Sequence, residues 1–448
     1  MPSANPPAAT GIRRVFGNLV LLLTGKAGAG LLSLAYLAIV ARTLGASDYG
    51  ILILIHAYVT LVGGIVAFSG WHGLVRFGAL ALEEGNHERL LKVGRFLTLV
   101  EVSFGVAAII VAILLVPVVG PHMDWPPDAM RFIAVYSLAT LANVRSTPLG
   151  FLQLAGRFDL IASHHLVSPS VRLIGCIVVW WIGGGLIGFL AVWLAAAIAE
   201  WASMWALGLW VLHRMRLDGR LFGTVRGTIS ENEGLLPFIT TTNFDITLRE
   251  LAPRLVPLAI GWILNPAAAG LFSLAQRASV VLEQPAVLLG QASYSAMAQL
   301  VAAREDAKLA RLAWHSAGTA MLLSIPILIL LAFFSTPLLE LLGGSSFRTG
   351  ATLLLVLAGA RSIALGTPPF TSALIAMGLP SRSIIVSLSA NILLFPLLPV
   401  FLMLFGLNGA GWHALLQATV TALSMAAWFR VSLRRVLRNR RRNGEQAA

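Results

Sequence analysis

The chain has 448 residues, 57% of them hydrophobic and only 11% charged. A soluble domain carries about 25% charged residues and needs a polar shell, so this composition excludes a soluble globular enzyme and makes lipid the solvent. The formal net charge of +13, from 32 Lys plus Arg against 19 Asp plus Glu, would by itself suit nucleic acid or an acidic partner, but where the basic residues stand points to a membrane instead.

In chain order, the opening MPSANPPAATGIRR precedes an apolar run too long for a cleavable signal, so it leads into a retained first helix. Runs of about 20 apolar residues, enough to cross a bilayer, fall at 17–41, 51–74, 96–119, 130–151, 162–182, 186–211, 238–263, 268–297, 314–338, 350–376, 383–405 and 410–430. The fourth, seventh and eighth carry charge. Alternate connections differ: one set is very short, and the other is longer and basic. The second set and both tails hold twenty-two Lys and Arg, and the short loops hold four. Basic loops stay cytoplasmic, which places both termini inside and predicts an even number of spans. The tail SLRRVLRNRRRN reads as a basic stop against anionic headgroups rather than a nucleic-acid site. The single cysteine, Cys176, reads as a small buried hydrophobe.

Two halves repeat. Leu44, Gly45 and Gly50 match Leu264, Asn265 and Gly270, and Gly183 and Gly188 match Gly406 and Gly411. Both halves start on the same side. The expectation is an all-α polytopic membrane protein of about twelve spans in two six-helix lobes, related by a pseudo-twofold along the membrane normal. The lobes are expected at 1–212 and 238–430, with a cytoplasmic linker at 213–237 and a basic tail at 431–448. Two bundles that rock about a central site are what a transporter needs.

Charges inside hydrocarbon cost several kcal/mol unless paired or hydrated. The spans carry Lys26, Arg145, Arg172, Arg249, Arg254, Arg277 and Arg361 against Glu101, Glu200, Asp245, Glu250 and Glu283. Lys26 lies about ten residues into the first span, beside Gly25, Gly28 and Gly30. Asp245 and Arg249, and Glu250 and Arg254, stand four apart and can stack on a helix face, either as structural ion pairs or as a hydrated face contacting an anionic cargo. Arginine suits phosphate because its planar fork donates two hydrogen bonds. Arg361 sits mid-span. Arg145 precedes Ser146, Thr147 and Pro148, where proline can kink a helix. Glu101 and Glu200 either neutralise basic partners or titrate during transport. The basic excess leans toward an anionic substrate.

Enzyme signatures are thin: the sequence has no HExxH, GxxxxGK[ST] or CxxC pattern. His164-His165 reads as an interfacial pair rather than a metal site. Trp125, Trp180, Trp181 and Trp412 fall near outer span ends, as an aromatic belt predicts, and Trp193, Trp201 and Trp205 read as packing.

Four stretches resemble one family. ARTLGASDYG at 41–50, GWILNPAAAGLFSLAQR at 261–277, LLGGSSFRTGATLLLVL at 341–357 and GLNGAGW at 406–412 are similar, in order and spacing, to loops of the bacterial polysaccharide-biosynthesis flippases of the multidrug/oligosaccharidyl-lipid/polysaccharide exporter superfamily. The resemblance implies a 6+6 alternating-access fold in the bacterial inner membrane and no covalent chemistry. It also implies transport of an undecaprenyl-pyrophosphate-linked oligosaccharide from the inner to the outer leaflet. Lys26, Arg145, Arg249, Arg254 and Arg361 become candidates for the pyrophosphate. Asp245, Glu250, Glu101, Glu200 and Glu283 become candidates for ion pairing or for proton or sodium coupling, with no other cofactor. Membrane lipids are expected partners, with polysaccharide polymerase and chain-length machinery beside them. The alternative is a cation-coupled drug or metabolite exporter of the same superfamily. A peptidoglycan-precursor flippase would have two further C-terminal helices, and a glycosyltransferase a sizeable outer loop.

Overall fold

The computed structural model describes residues 8–217, 223–280 and 296–445; side chains are described within these except at 8–23, 249, 250, 252, 437 and 439–445. Among the described residues every regular element is helical, as hydrocarbon demands, since a helix satisfies its backbone internally. Eight helical runs among them are long and apolar enough to cross a membrane. The first of these joins two spans: Ala8–Val66 bends at Gly45, with φ 71° and ψ 179°, a left-handed conformation open to glycine. The described parts of the three spans that carry charge are not among these eight. They are nevertheless helical, at Pro127–Tyr136 and Ser146–Leu154, at Leu235–Ile263, and at Pro266–Ser279 for the start of the eighth. The order is that of the twelve expected spans.

The chain forms two compact units. The first comprises Met1–Leu44 and Ile51–Leu255, and the second Gly45–Gly50 and Val256–Ala448. The division falls within Leu235–Ile263, downstream of the 213–237 linker that sequence took as the border. The reason is packing: Leu217, Leu235 and Ile239 join Leu74, Leu90, Leu97 and Phe151 in one core of the first unit. Met297, Leu309, Phe370, Met425 and Phe429 form a core of the second.

The glycines paired by the repeat have structural work. In the second unit, a Cβ on Gly50 would lie 1.8 Å from the Pro266 carbonyl oxygen, and one on Gly270 would lie 2.6 Å from that of Ala46. The two matched hairpins thus touch reciprocally, at a distance only glycine allows. Gly183 and Gly406 both turn with positive φ, each just after the end of a span.

One reading of a single residue needs correcting. Trp125 is buried against Tyr58, ring centroids 5.4 Å apart, so it belongs to the interior. Trp180, Trp181 and Trp412 are exposed, as a belt requires. Cys176 is buried and unpaired, as expected.

Candidate functional site

The site lies inside the first unit, where three spans are interrupted. The second span ends as a helix at Val66 and resumes at Trp71. The fourth passes from Pro127–Tyr136 through a 3₁₀ stretch, Ser137–Asn143, and restarts at Ser146–Leu154. The fifth is Phe158–His164 and Val167–Trp181. Each interruption frees backbone groups that water cannot reach, so side chains must satisfy them.

At the fourth span that accounting closes. Ser146 and Thr147 begin a half-helix whose first N–H groups have no carbonyl below them. The Glu101 carboxylate, wholly buried, accepts from the Ser146 N–H, from the Thr147 N–H at 3.0 Å and from the Thr147 hydroxyl at 2.8 Å. A carboxylate suits this place because the helix N-terminus carries partial positive charge. Pro148 lies within the first turn, where proline is tolerated. The break therefore precedes it, and the kink is not centred on the proline. Lacking an N–H, Pro148 cannot serve the Val144 carbonyl four residues back, and the Trp205 indole N–H donates to that oxygen at 2.8 Å. Trp205 is thus a hydrogen-bonding residue as well as a packing one. The two interrupted spans also meet: Ser69 Oγ is 3.2 Å from Ser146 Oγ, and Asn243 Oδ1 accepts from the Ser69 N–H at 2.9 Å.

One residue before the half-helix, Arg145 turns away from Glu101. Its Nη1 pairs with Glu200 Oε1 and lies 2.9 Å from His164 Nε2, while His164 Nδ1 is 3.1 Å from Ser203 Oγ. The pair is partly open, with 31% of the Arg145 side chain and 23% of the Glu200 side chain exposed. Lys26 of the first span, exposed, is an electrostatic neighbour of His165, as are Arg145 and Glu200. Arg172 adds a further cation close to Glu200. It donates to the Tyr36 hydroxyl at 3.2 Å and lies 4.9 Å from the Trp193 ring centroid. Helices from the fourth, fifth and sixth spans thus bring Arg145 into contact with Glu200 and His164, with Lys26 of the first span a neighbour of His165 and Arg172 a neighbour of Glu200. Such a group has positive charge to spare after its internal pairing, and guanidinium and ammonium groups are phosphate donors.

Of the residues chosen from sequence, Lys26, Arg145 and Glu200 come together here. Glu101 acts as a helix cap on backbone amides. Arg254 donates to the Thr60 carbonyl and lies against Gly64, where a Cβ would meet its Nη1 at 2.3 Å. Asp245 is an electrostatic neighbour of His72. Arg361 is half-buried in the second unit, on Ala351–Ala364, one turn before the break at Leu365. The side chains of Arg249 and Glu250, and Glu283 altogether, lie outside the described residues. Sequence missed Ser203, Ser69 and Asn243, and read His164 as interfacial. His164 is buried between Arg145 and Ser203, so it is an interior residue and not an interfacial one. Among the described residues no cluster of three His, Cys, Asp or Glu could hold a metal.

Comparison with known proteins agrees with this architecture. Inner membrane protein YghQ of Escherichia coli (strain K12) is 24% identical over 288 residues, 64% of this chain and 81% of that protein. An inward-facing multidrug resistance MATE family transporter of the MOP superfamily superposes with a TM-score of 0.75 at 15% identity, covering 92% of this chain and 96% of the other. The lipid II flippase MurJ, in an inward closed conformation, gives 0.69 at 13% identity, with 91% and 86% covered. These two show a shared fold. The model of the polysaccharide biosynthesis protein family matches residues 39–351. With a family match over more than half its length and the fold of MOP-superfamily transporters, the chain is a multi-pass membrane protein belonging to the polysaccharide biosynthesis protein family.

Proposed function

We propose that the chain is a flippase that moves an undecaprenyl-pyrophosphate-linked oligosaccharide from the inner to the outer leaflet of the cytoplasmic membrane by alternating access. The observation that carries this reading is the partly open Arg145–Glu200 pair, with Lys26 and Arg172 as further cations among its electrostatic neighbours. A pyrophosphate crossing hydrocarbon is a charged headgroup that must be neutralised on the way. An arginine held by Glu200 is oriented before the phosphate arrives, so less rotamer freedom is lost on binding. The glycan would travel beside this group, with the isoprenoid chain left in the bilayer. Both termini would be cytoplasmic, and the product would reach polymerase and chain-length machinery on the outer face. No bond is made or broken.

The reading is weighed against a cation-coupled exporter, which the fold likeness to a multidrug transporter favours. An exporter of cations needs an acid-rich site, and this one is basic. The experiment is leaflet accessibility of a labelled undecaprenyl-pyrophosphate-linked oligosaccharide in proteoliposomes. Replacing Arg145 with Gln, or Lys26 with Gln, is expected to slow flipping by about tenfold or more, the effect of losing roughly 1.4 kcal/mol at a charged contact. Full flipping in both folded variants, or export of a cationic dye by the parent protein without flipping, overturns the proposal.

A further inference from the structure

An apolar cavity lies in the first unit, on the side of the interrupted fourth span that holds Pro148 and Phe151, and has no role in the reading above. It occupies about 500 Å³ between the third, fourth and sixth spans. Its outer rim is Leu99, Val102 and Leu209, which are 54%, 42% and 43% exposed. On a membrane span, such exposure is exposure to lipid. Glycines bring its walls close together. A Cβ on Gly94 would lie 2.6 Å from the Phe151 ring, and one on Gly208 would lie 2.4 Å from Pro148. The half-helix Ser146–Leu154 therefore sits close to both neighbours, and no side chain fills the gap in front of it. Arg95 stands at the end of the cavity nearest the basic loop and pairs with Glu88 at 2.8 Å.

At the corresponding junction of the second unit, the ninth, tenth and twelfth spans meet through aromatic rings: Trp314 and Phe370 pack edge to face with centroids 4.8 Å apart, and Phe370 and Phe429 are 5.6 Å apart. Trp314 and Phe429 follow Gly94 and Gly208 by about 220 residues, the interval of the internal repeat. One half carries aromatic rings where the other carries glycine. Packed proteins leave few voids wider than a water molecule, and a lipid-facing gap of this size would not stay empty in a bilayer.

We infer that this cavity is a binding site for one acyl chain of an anionic phospholipid of the cytoplasmic leaflet, with the headgroup beside Arg95. The depth fits: Arg95 to Val102 spans about 10 Å at roughly 1.5 Å of helical rise per residue, within the roughly 15 Å of one leaflet's hydrocarbon. A far longer isoprenoid chain would extend well beyond it. The walls are apolar apart from Thr98 and Arg95, which suits a hydrocarbon chain. The guanidinium at the cytoplasmic end, which a headgroup phosphate would share with Glu88, favours a headgroup that carries no compensating cation.

Native mass spectrometry of the full chain from nanodiscs of mixed phosphatidylglycerol and phosphatidylcholine tests this. The parent protein is expected to retain phosphatidylglycerol. Thr98→Trp fills the cavity from within and is expected to lower retention by about fivefold, the loss of roughly 1 kcal/mol of apolar burial. Arg95→Gln is expected to keep a bound lipid but reduce the preference for phosphatidylglycerol by about threefold, roughly 0.6 kcal/mol. If Thr98→Trp does not fold, Thr98→Leu is used, with a loss of about twofold expected on the same grounds. Undiminished retention in the folded cavity-filled variant overturns the inference. So does equal retention of both lipids by the parent, or displacement of the phospholipid by added undecaprenyl phosphate. None of these results bears on flipping by the cationic group, which is assayed separately.

Discussion

Both units interrupt their spans, but they seal the interruptions with different chemistry. In the first, the break in the fourth span is held by a buried carboxylate on backbone amides and by an arginine paired with a glutamate. In the second, the break in the tenth span closes through local turns, from Leu365 N–H to the Arg361 carbonyl at 3.0 Å and from Gly366 N–H to that of Ile363 at 3.0 Å. The end of helix Pro380–Leu394 is met by His413, whose Nε2 is 2.8 Å from the Leu394 carbonyl, and Gln417 donates to Asn391 nearby. Neutral groups are therefore sufficient to close a broken helix in this protein. A charge placed in hydrocarbon costs more than a neutral group, so charges kept where neutral groups would serve point to a further demand. For Arg145 and Glu200, which are partly open, the anionic cargo proposed above would be such a demand. Glu101, wholly buried, has its explanation in the helix it caps.

The comparison predicts different responses to substitution. The largest loss is expected from Glu101→Ala, which strands three donors in a dry interior at roughly 1–3 kcal/mol each. A drop of about 4 kcal/mol in stability, seen as a fall in Tm and in monodisperse yield, is the expected result, and an unchanged Tm would remove the capping argument. Next, a double-mutant cycle on Arg145→Ala and Glu200→Ala should give a coupling of about 2 kcal/mol in stability, within the range for contacting charges. If each single variant instead melts like the parent while flipping is lost, the pair serves the cargo alone, and the contrast with the second unit sharpens. The smallest effect is expected from His413→Ala, about 1 kcal/mol for one hydrogen bond, with flipping nearly unchanged. A large loss of transport there would break the proposed division between a charged unit and a neutral one.

Much of the fold was legible because lipid imposes simple rules. The spans follow from apolar length, and the three with embedded charge were the ones whose hydropathy was weakest. The matched glycines at 50 and 270 and at 183 and 406 were visible as spacing, and each has a backbone reason. The site was legible in part. Lys26, Arg145 and Glu200 stood out because any charge in an apolar run does. Their grouping did not, since four spans far apart in sequence supply it. His164 was hidden by its place near a helix start, which is also where interfacial histidines occur. Trp205 was hidden because a carbonyl left open by Pro148 becomes visible only when the facing helix is known.

Sequence alone determined that this is a two-part helical membrane protein with an excess of cations inside its spans, because composition, loop charge and repeat spacing are properties of the linear chain. Tertiary structure decided which of those charges meet and which seal a helix. It also decided that one half packs glycines against Phe151 and Pro148 where the other packs aromatic rings together. Such outcomes depend on the facing of helices, and one residue along a helix turns a side chain by about 100°, finer than any span boundary read from hydropathy.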